Sequence, residues 1–307
     1  MPVAVTLGDP WGIGPEVTAR AIVADAIRPG QVLVLGPRFA WESMCSLEPG
    51  LLAHRDYFLE IATDLHPGAP GKPPTLGGQV VLDTLHRAVD LVNTGDADAL
   101  VTAPLNKSLI HKIDPAFVGH TEFFGQAFCI EDPTMTFVGP EYVTALVTTH
   151  VSLRKLADEI TEDRVYRHIM RLWEWLRSHR GDAALLAVTG LNPHAGEAGA
   201  FGDEEIRVIG PAIERARSAG ARVDGPFPAD TVYREAGPGG RYAGVLAMYH
   251  DQALVLFKTT DGNQGVNMTL GLPVVRTSPD HGTAYNIAGK GIADFRSMQA
   301  ALNLVLP

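Results

Sequence analysis

Apolar residues along this chain fall into two spacings. Short unbroken runs rich in Val, Leu and Ala, at 3–7, 31–36, 98–105, 183–190 and 244–250, have the length and branching of buried parallel strands. Between them, apolar positions recur every three or four residues, as one face of a helix requires. Val80, Val81, Leu85, Val89 and Val92 form such a face within 79–93. Val165, Ile169, Leu172 and Leu176 form another within 161–179, with Trp173 and Trp175 alongside, and Ile206, Ile209, Ile213 and Ala216 a third, in a long helix. Pro15 is placed to open a helix to about Ile27, 37–47 reads as another, and Asn106-Lys107-Ser108 opens a further one. Thr121 and Thr161 are expected as N-caps, the first for a helix through Phe128. Met135–Val138 and Val143–Thr149 read as a hairpin about Gly139-Pro140-Glu141. The stretch from His66 to Gly78, with four prolines and four glycines, is the longest loop of the first half. Strands alternating with helices predict an α/β fold.

At 307 residues the chain exceeds a typical single domain, so two lobes or one large α/β unit are expected. With 46% hydrophobic and 20% charged residues it has ample material for a core. The net charge of −10 argues against nucleic acid and against anionic membranes as partners, so an anionic substrate requires a local basic cluster. Cys45 and Cys129 have no metal-binding spacing and suit reduced thiols in a cytosol. No apolar run approaches the roughly 20 residues of a membrane helix. The first residues enter a strand with no basic leader, so no signal peptide and a cytoplasmic location are expected. There is no internal repeat, low-complexity tract or flexible linker.

Ligands of open α/β sheets bind beyond the carboxyl ends of strands. His150, His194 and His250 each follow an apolar, strand-like run. If those strands are neighbours, the imidazoles converge into a catalytic divalent-metal arrangement, typically zinc, alternatively cobalt, manganese, magnesium or nickel. Separations of 44 and 56 residues carry no motif, so three unrelated histidines are the competing interpretation. Lys258, Asn267 and Arg276 follow at spacings too irregular for one face; two cations and an amide spread over turns suit a phosphate or carboxylate. His120-Thr121, at a helix start, suits a phosphate oxygen, whereas Lys107 sits at a strand end where a lone lysine is usually solvated. In 280–284, Gly282 permits close backbone approach, and Ala284 to Gly289 can start a helix. Gly8 to Glu16 makes a nucleotide-type βα unit without the GxGxxG spacing, and no acidic residue ends the second strand in the usual place, so an ordinary Rossmann domain is set aside.

MYHDQ from Met248, GVNMTLGLPVVRTSPDHGTA from Gly265 and AGKGIAD from Ala288 resemble the signature of the 4-hydroxythreonine-4-phosphate dehydrogenase family of vitamin B6 biosynthesis. HGTAYNIAGKGIAD also resembles the nucleotide-binding segment of isocitrate and isopropylmalate dehydrogenases. Gly8–Glu16 is similar to the family's GDPxGIGPE, with Trp11 where members carry a smaller residue; its bulk either reshapes the cleft or is an inert surface aromatic. The resemblance implies an isopropylmalate-dehydrogenase-like, two-lobed α/β/α fold with the active site in the cleft between lobes. Residues 1–125 plus 265–307 would form the nucleotide-binding lobe, and 126–264 the lobe with metal ligands and dimer contacts.

It also implies NAD- or NADP-dependent, divalent-metal-dependent oxidation of 4-phosphooxy-L-threonine to 2-amino-3-oxo-4-phosphooxybutanoate, which decarboxylates to 3-amino-2-oxopropyl phosphate. Alternatives are a paralogue acting on threonate or erythronate 4-phosphate, and a non-catalytic metal-dependent ligand-binding protein. Residue by residue, the implied metal ligands are His150, His194 and His250, through THxxL, NPHAGE and YHDQ. Implied substrate contacts are His120 and Thr121, through GHTE, with Lys258, Asn267 and Arg276. The cofactor would lie along Asp280, His281, Gly282, Thr283, Ala284 and Asn286, and Asp230 and Asp251 would stand near the metal. The proton acceptor is left open between Lys258, Asp251 and metal-bound hydroxide. A homodimer with shared sites is implied, and the seam beside Trp173 and Trp175 places its interface near 151–177, unless that seam is intrachain core.

Overall fold

The computed structural model describes residues 1–65, 67–262 and 264–306; His66, at the head of the expected long loop, lies outside them. The described strands are β1 Val3–Thr6, β2 Val32–Gly36, β3 Phe58–Glu60, β4 Ala99–Thr102, β5 Thr134–Val138, β6 Val143–Leu146, β7 Leu186–Thr189, β8 Val223–Phe227, β9 Gly244–Ala247, β10 Val266–Leu270 and β11 Val275–Pro279. The chain divides into two compact units, Met1–Pro133 with Gly271–Pro307, and Thr134–Leu270.

In the first unit the strands run parallel in the order β3-β2-β1-β4-β11. β1 and β4 are buried at every position, which is why both read as unbroken apolar runs. Helix Gly77–Thr94 presents the predicted face, packing Val80, Val81, Leu85 and Val89 into a core with Ala4, Leu35, Leu100 and Phe124. It stops at Gly95, whose left-handed φ of 75° favours glycine. The C-terminal helix Arg296–Asn303 is tied to β11 by Thr277 Oγ1, which donates to the Ala301 carbonyl at 2.8 Å.

The second unit has the order β10-β5-β6-β9-β7-β8, antiparallel through β10, β5 and β6 and parallel from β6 onward. The expected hairpin is present, and Asp261 Oδ1 accepts the Glu141 amide at 2.8 Å in its turn. Helix Glu162–Arg180 is capped by Thr161, as expected. Its seam is intrachain core: the helix packs on β5, β7 and β9, leaving Trp173 and Trp175 only 9% and 7% exposed. These tryptophans therefore offer no large face for a partner. The expected long helix over 206–216 is two elements, a π turn Glu205–Ile209 and then helix Gly210–Ser218. The wider turn shifts the helical phase, so Ile206 is 58% exposed while Ile209, Ile213 and Ala216 stay buried.

Candidate active site

The first unit gathers a cationic cluster around β4 and β11. Arg276, on β11, donates from Nε and Nη2 to Oγ1 of Thr102 on β4, the former at 3.0 Å. Arg276 is 2% exposed, and burial pulls its guanidinium down to about 9, against the opposing pull of the Glu122 carboxylate. It is therefore a buried cation at neutral pH. Helix His120–Ala127 is capped by Gly119, two residues earlier than the expected Thr121 cap; Thr121 lies buried in the first turn. His120 Nε2 is buried without a hydrogen-bond partner. Burial, then Arg276 and Lys107, push this imidazole well below its usual range, so it is neutral and its Nε2 is open to a ligand. A methyl group on Gly119 would stand 3.3 Å from Lys107 Nζ and 3.0 Å from Glu122 Oε2, so both side chains crowd this helix start. Lys107 belongs to the cluster electrostatically, which its isolated position in sequence does not reveal. A guanidinium, an ammonium and an open imidazole beside helix amides form a site suited to phosphate or carboxylate.

The segment that follows β11 lies against the first βα loop. Ile13 N donates to Thr283 O at 2.9 Å, Tyr285 Oη donates to the Asp9 carboxylate, and Glu16 accepts from the amides of Gly291 and Ala293 at 3.3 and 2.8 Å. A Cβ on Gly12 would stand 2.8 Å from Thr283 O. The glycine in this loop makes room for protein backbone, which accounts for a glycine-containing βα turn that lacks the dinucleotide spacing. No helix opens at Ala284: φ is 41° there and 74° at Gly289, and the segment turns with Ile287 N donating to Ala284 O at 3.0 Å. All six expected cofactor residues share this stretch. Asp280 N is held by Ser297 Oγ at 2.9 Å, His281 Nε2 is buried without a partner, and Gly282 has open space where a side chain would project. Asn286 is exposed. Trp11 is neither a surface aromatic nor a free cleft wall. It is buried, its Nε1 donates to Pro67 O, and its ring packs 5.4 Å from Phe39, pinning the Pro/Gly loop.

In the second unit, β6, β9 and β7 are parallel neighbours, as the strand-end histidines require. His150 and His250 come together, their ring centroids 6.4 Å apart. His250 Nδ1 donates to Asp251 Oδ1 at 2.7 Å, so Nε2 is the ring nitrogen that could serve a ligand. Gln252 ties this helix start to the neighbouring strand end: its Oε1 accepts from Met248 N and Thr189 Oγ1, and its Nε2 donates to Gly190 O.

His194 does not join the pair. It stands exposed on the turn Pro193–Gly199, where every residue from His194 to Gly199 has a positive φ. Left-handed L-residues each cost about 1–2 kcal/mol. Glu205, buried beneath the turn, steadies it by accepting from the amides of Leu191 and Asn192, both at 2.7 Å. Glu205→Ala should lower the unfolding free energy by about 1–3 kcal/mol in denaturant titration, because it strands those donors.

Among the described residues, no three His, Cys, Asp or Glu gather at metal-binding range. One chain thus supplies two imidazoles, one backed by a carboxylate, which fit part of a divalent-metal site and lack its third ligand. Asp230 is exposed on the short helix Ala229–Val232, which packs against the His194 turn. Lys258 and Asn267 are not in turns, and neither is Arg276. Lys258 is exposed on the last turn of helix His250–Thr260, whose Ala253, Leu254 and Phe257 face the core, and Asn267 lies on β10 opposite Phe137. Asn267 Oδ1 is buried without a partner.

Residues 42–305 match the family model described as pyridoxal phosphate biosynthetic protein PdxA. A curated protein of Desulfosudis oleivorans named 4-hydroxythreonine-4-phosphate dehydrogenase is 38% identical, over 99% of this chain and 95% of its own length. A Clostridium botulinum protein named provisionally as a D-threonate 4-phosphate dehydrogenase is 34% identical, over 98% of this chain and 95% of its own. The crystal structure of a 4-hydroxythreonine-4-phosphate dehydrogenase from Klebsiella pneumoniae superposes with a TM-score of 0.83 at 35% identity, covering 99% of this chain and 98% of that one. The isopropylmalate-dehydrogenase-like α/β fold is borne out. A β-decarboxylating dehydrogenase from Thermococcus kodakarensis shares it at a TM-score of 0.56 and 16% identity, over 99% of this chain and 82% of that one.

Proposed function

The chain belongs to the family of the pyridoxal phosphate biosynthetic protein PdxA and is a dehydrogenase acting on CH–OH groups, and from that premise we propose that it oxidises 4-phosphooxy-L-threonine with NAD or NADP in the cytoplasm. The observation that carries the substrate is the cluster of the buried Arg276, the exposed Lys107 and the unpartnered His120 Nε2, a site suited to a phosphate. Arg276, Lys107, His120 and Thr121 hold the phosphate. Asn267 Oδ1, a buried acceptor lacking a donor, takes an N–H or O–H of the substrate.

Residues Asp280–Asn286 would hold a nicotinamide that supplies the hydride acceptor, and His150 and His250 would hold a divalent ion that supplies polarisation of the hydroxyl being oxidised. The hydroxyl proton leaves to a base. Asp251 Oδ1 already accepts from His250, so of the two side-chain candidates we propose Lys258 as that base. The resulting 3-oxo acid loses carbon dioxide because the adjacent ketone stabilises the electron pair left behind, giving 3-amino-2-oxopropyl phosphate. His281 and Gly282 face the cofactor within the stretch Asp280–Asn286. His150 and His250 would hold the ion, zinc in the first instance, with His194 of a second copy completing the set and Asp230, whose helix packs against the His194 turn, near it.

A second substrate, D-threonate 4-phosphate, is favoured by the Clostridium botulinum relative, whose identity is close to that of the first. It carries the same phosphate and differs in having a hydroxyl where the first has an amino group. Purified protein supplied with NAD or NADP, a divalent metal and a panel of phosphorylated four-carbon hydroxy acids should produce the reduced cofactor fastest with 4-phosphooxy-L-threonine, followed by absorbance. A higher kcat/KM for threonate or erythronate 4-phosphate moves the assignment to the second reading, and no turnover of any of them overturns both.

A further inference from the structure

We propose that Asp9 and Tyr285 form a positioning pair that sets the pose of the cofactor-binding stretch, so that cofactor affinity depends on a hydrogen bond between residues that touch no ligand. The inference rests on the cofactor placement proposed above. Tyr285 sits between Ala284 and Asn286, inside that stretch, and its side chain turns into the protein. Its hydroxyl donates to the Asp9 carboxylate at the carboxyl end of β1 and accepts from Asn106 Nδ2, beyond the end of β4, at 2.9 Å. Asp9 is fully buried, and its other oxygen accepts the Trp11 amide at 3.0 Å. Tyr285 is thus the side chain that links the stretch to two strand ends at once.

A Cβ on Gly71 would stand 2.4 Å from the backbone carbonyl oxygen of Tyr285, and Gly71 N donates to Trp11 O at 2.7 Å, so the Pro/Gly loop lies directly against the backbone of this stretch. Burial raises both the Asp9 carboxyl and the Tyr285 phenol above their usual ranges, and the phenol keeps its proton as donor at neutral pH. Removing the hydroxyl leaves one oxygen of a buried carboxyl without its side-chain donor and the Asn106 amide without this acceptor. The backbone bond from Ile13 to Thr283 and the two to Glu16 still hold the stretch in place, so the expected result is a looser pose within an intact fold.

The test is Tyr285→Phe. Its dissociation constant for the reduced nicotinamide cofactor, by fluorescence titration, should rise about ten- to a hundredfold, the loss of one hydrogen bond to a buried carboxyl. The KM of the cofactor should follow it, while the KM of the phosphorylated substrate moves less than about twofold. Asp9→Asn has one oxygen for two donors, the Tyr285 hydroxyl and the Trp11 amide, so its dissociation constant should fall between those of the parent and Tyr285→Phe. Thermal unfolding of each variant separates this from a general loss of structure, in which both KM values and kcat would worsen together. His281→Ala serves as the control for cofactor placement. If it weakens cofactor binding and Tyr285→Phe does not, the positioning role is overturned and the placement stands. If His281→Ala binds cofactor like the parent, the placement falls, and the inference with it.

Discussion

Arg276→Ala should lower kcat/KM for the phosphorylated substrate by roughly tens- to a thousandfold, the equivalent of about 2–4 kcal/mol for one charge-assisted contact to a phosphate. Its effect on the unphosphorylated analogue should be much smaller. The variant also vacates a site that is 2% exposed and breaks the bonds to Thr102, so its unfolding must be measured beside its kinetics. A loss of stability would fall on both substrates alike; loss of phosphate reading would not. Arg276→Lys retains a positive charge and gives up the planar fork, so it should recover part of the rate and leave the two-point contact with Thr102 unmade. Equal losses on both substrates in a folded Arg276→Ala protein would mean that this residue does not read the phosphate.

Strands were legible wherever a buried parallel strand writes itself as an apolar run, and the hairpin of β5 and β6 was legible from its turn residues. The failures are places where local pattern meets a backbone state it does not encode. Ala284 carries a positive φ that stops the expected helix, and a π turn at Glu205–Ile209 turns Ile206 outward although its spacing fits the buried face. Trp173 and Trp175 read as surplus aromatics because the sequence does not reveal how much of them β5, β7 and β9 cover. In the site, strand-end histidines and the motif-bearing cations were visible as residue types. Their supports were not: Glu205 beneath the His194 turn, Lys107 beside His120, and above all the bond from Tyr285 to Asp9, 276 residues apart, which only the sheet order creates. Three expected site residues, His120, Asn267 and His281, hold buried atoms without partners, a signal that is available only once burial is known.

Treatment with a chelator should abolish turnover, and zinc, cobalt or manganese should restore it; full activity in a metal-free preparation would sink the metal reading. Where the third ligand comes from is the sharper question, since one chain brings His150 and His250 together and leaves His194 apart. Exposed apolar side chains mark the same segments: Leu153 follows His150, Phe201 and Ile206 follow His194, and Val255 lies on the helix that His250 opens. Surface of that kind is what a homodimer would cover, and in a two-fold dimer each copy would lend its His194 to the other. His194→Ala and His250→Ala should then each be inactive and recover activity when refolded together. Half of a random mixture is heterodimer, with one intact site and one doubly broken site, so about a quarter of parental activity should return with free exchange and independent sites. The pairing His150→Ala with His250→Ala should return none, because those two ligands belong to one chain and every site in the mixture lacks one of them. Recovery in that second mixture would contradict the pairing of His150 with His250. Failure of the first mixture despite verified heterodimers would place His194 and His250 in one chain, and a monomer by light scattering would remove the shared site altogether.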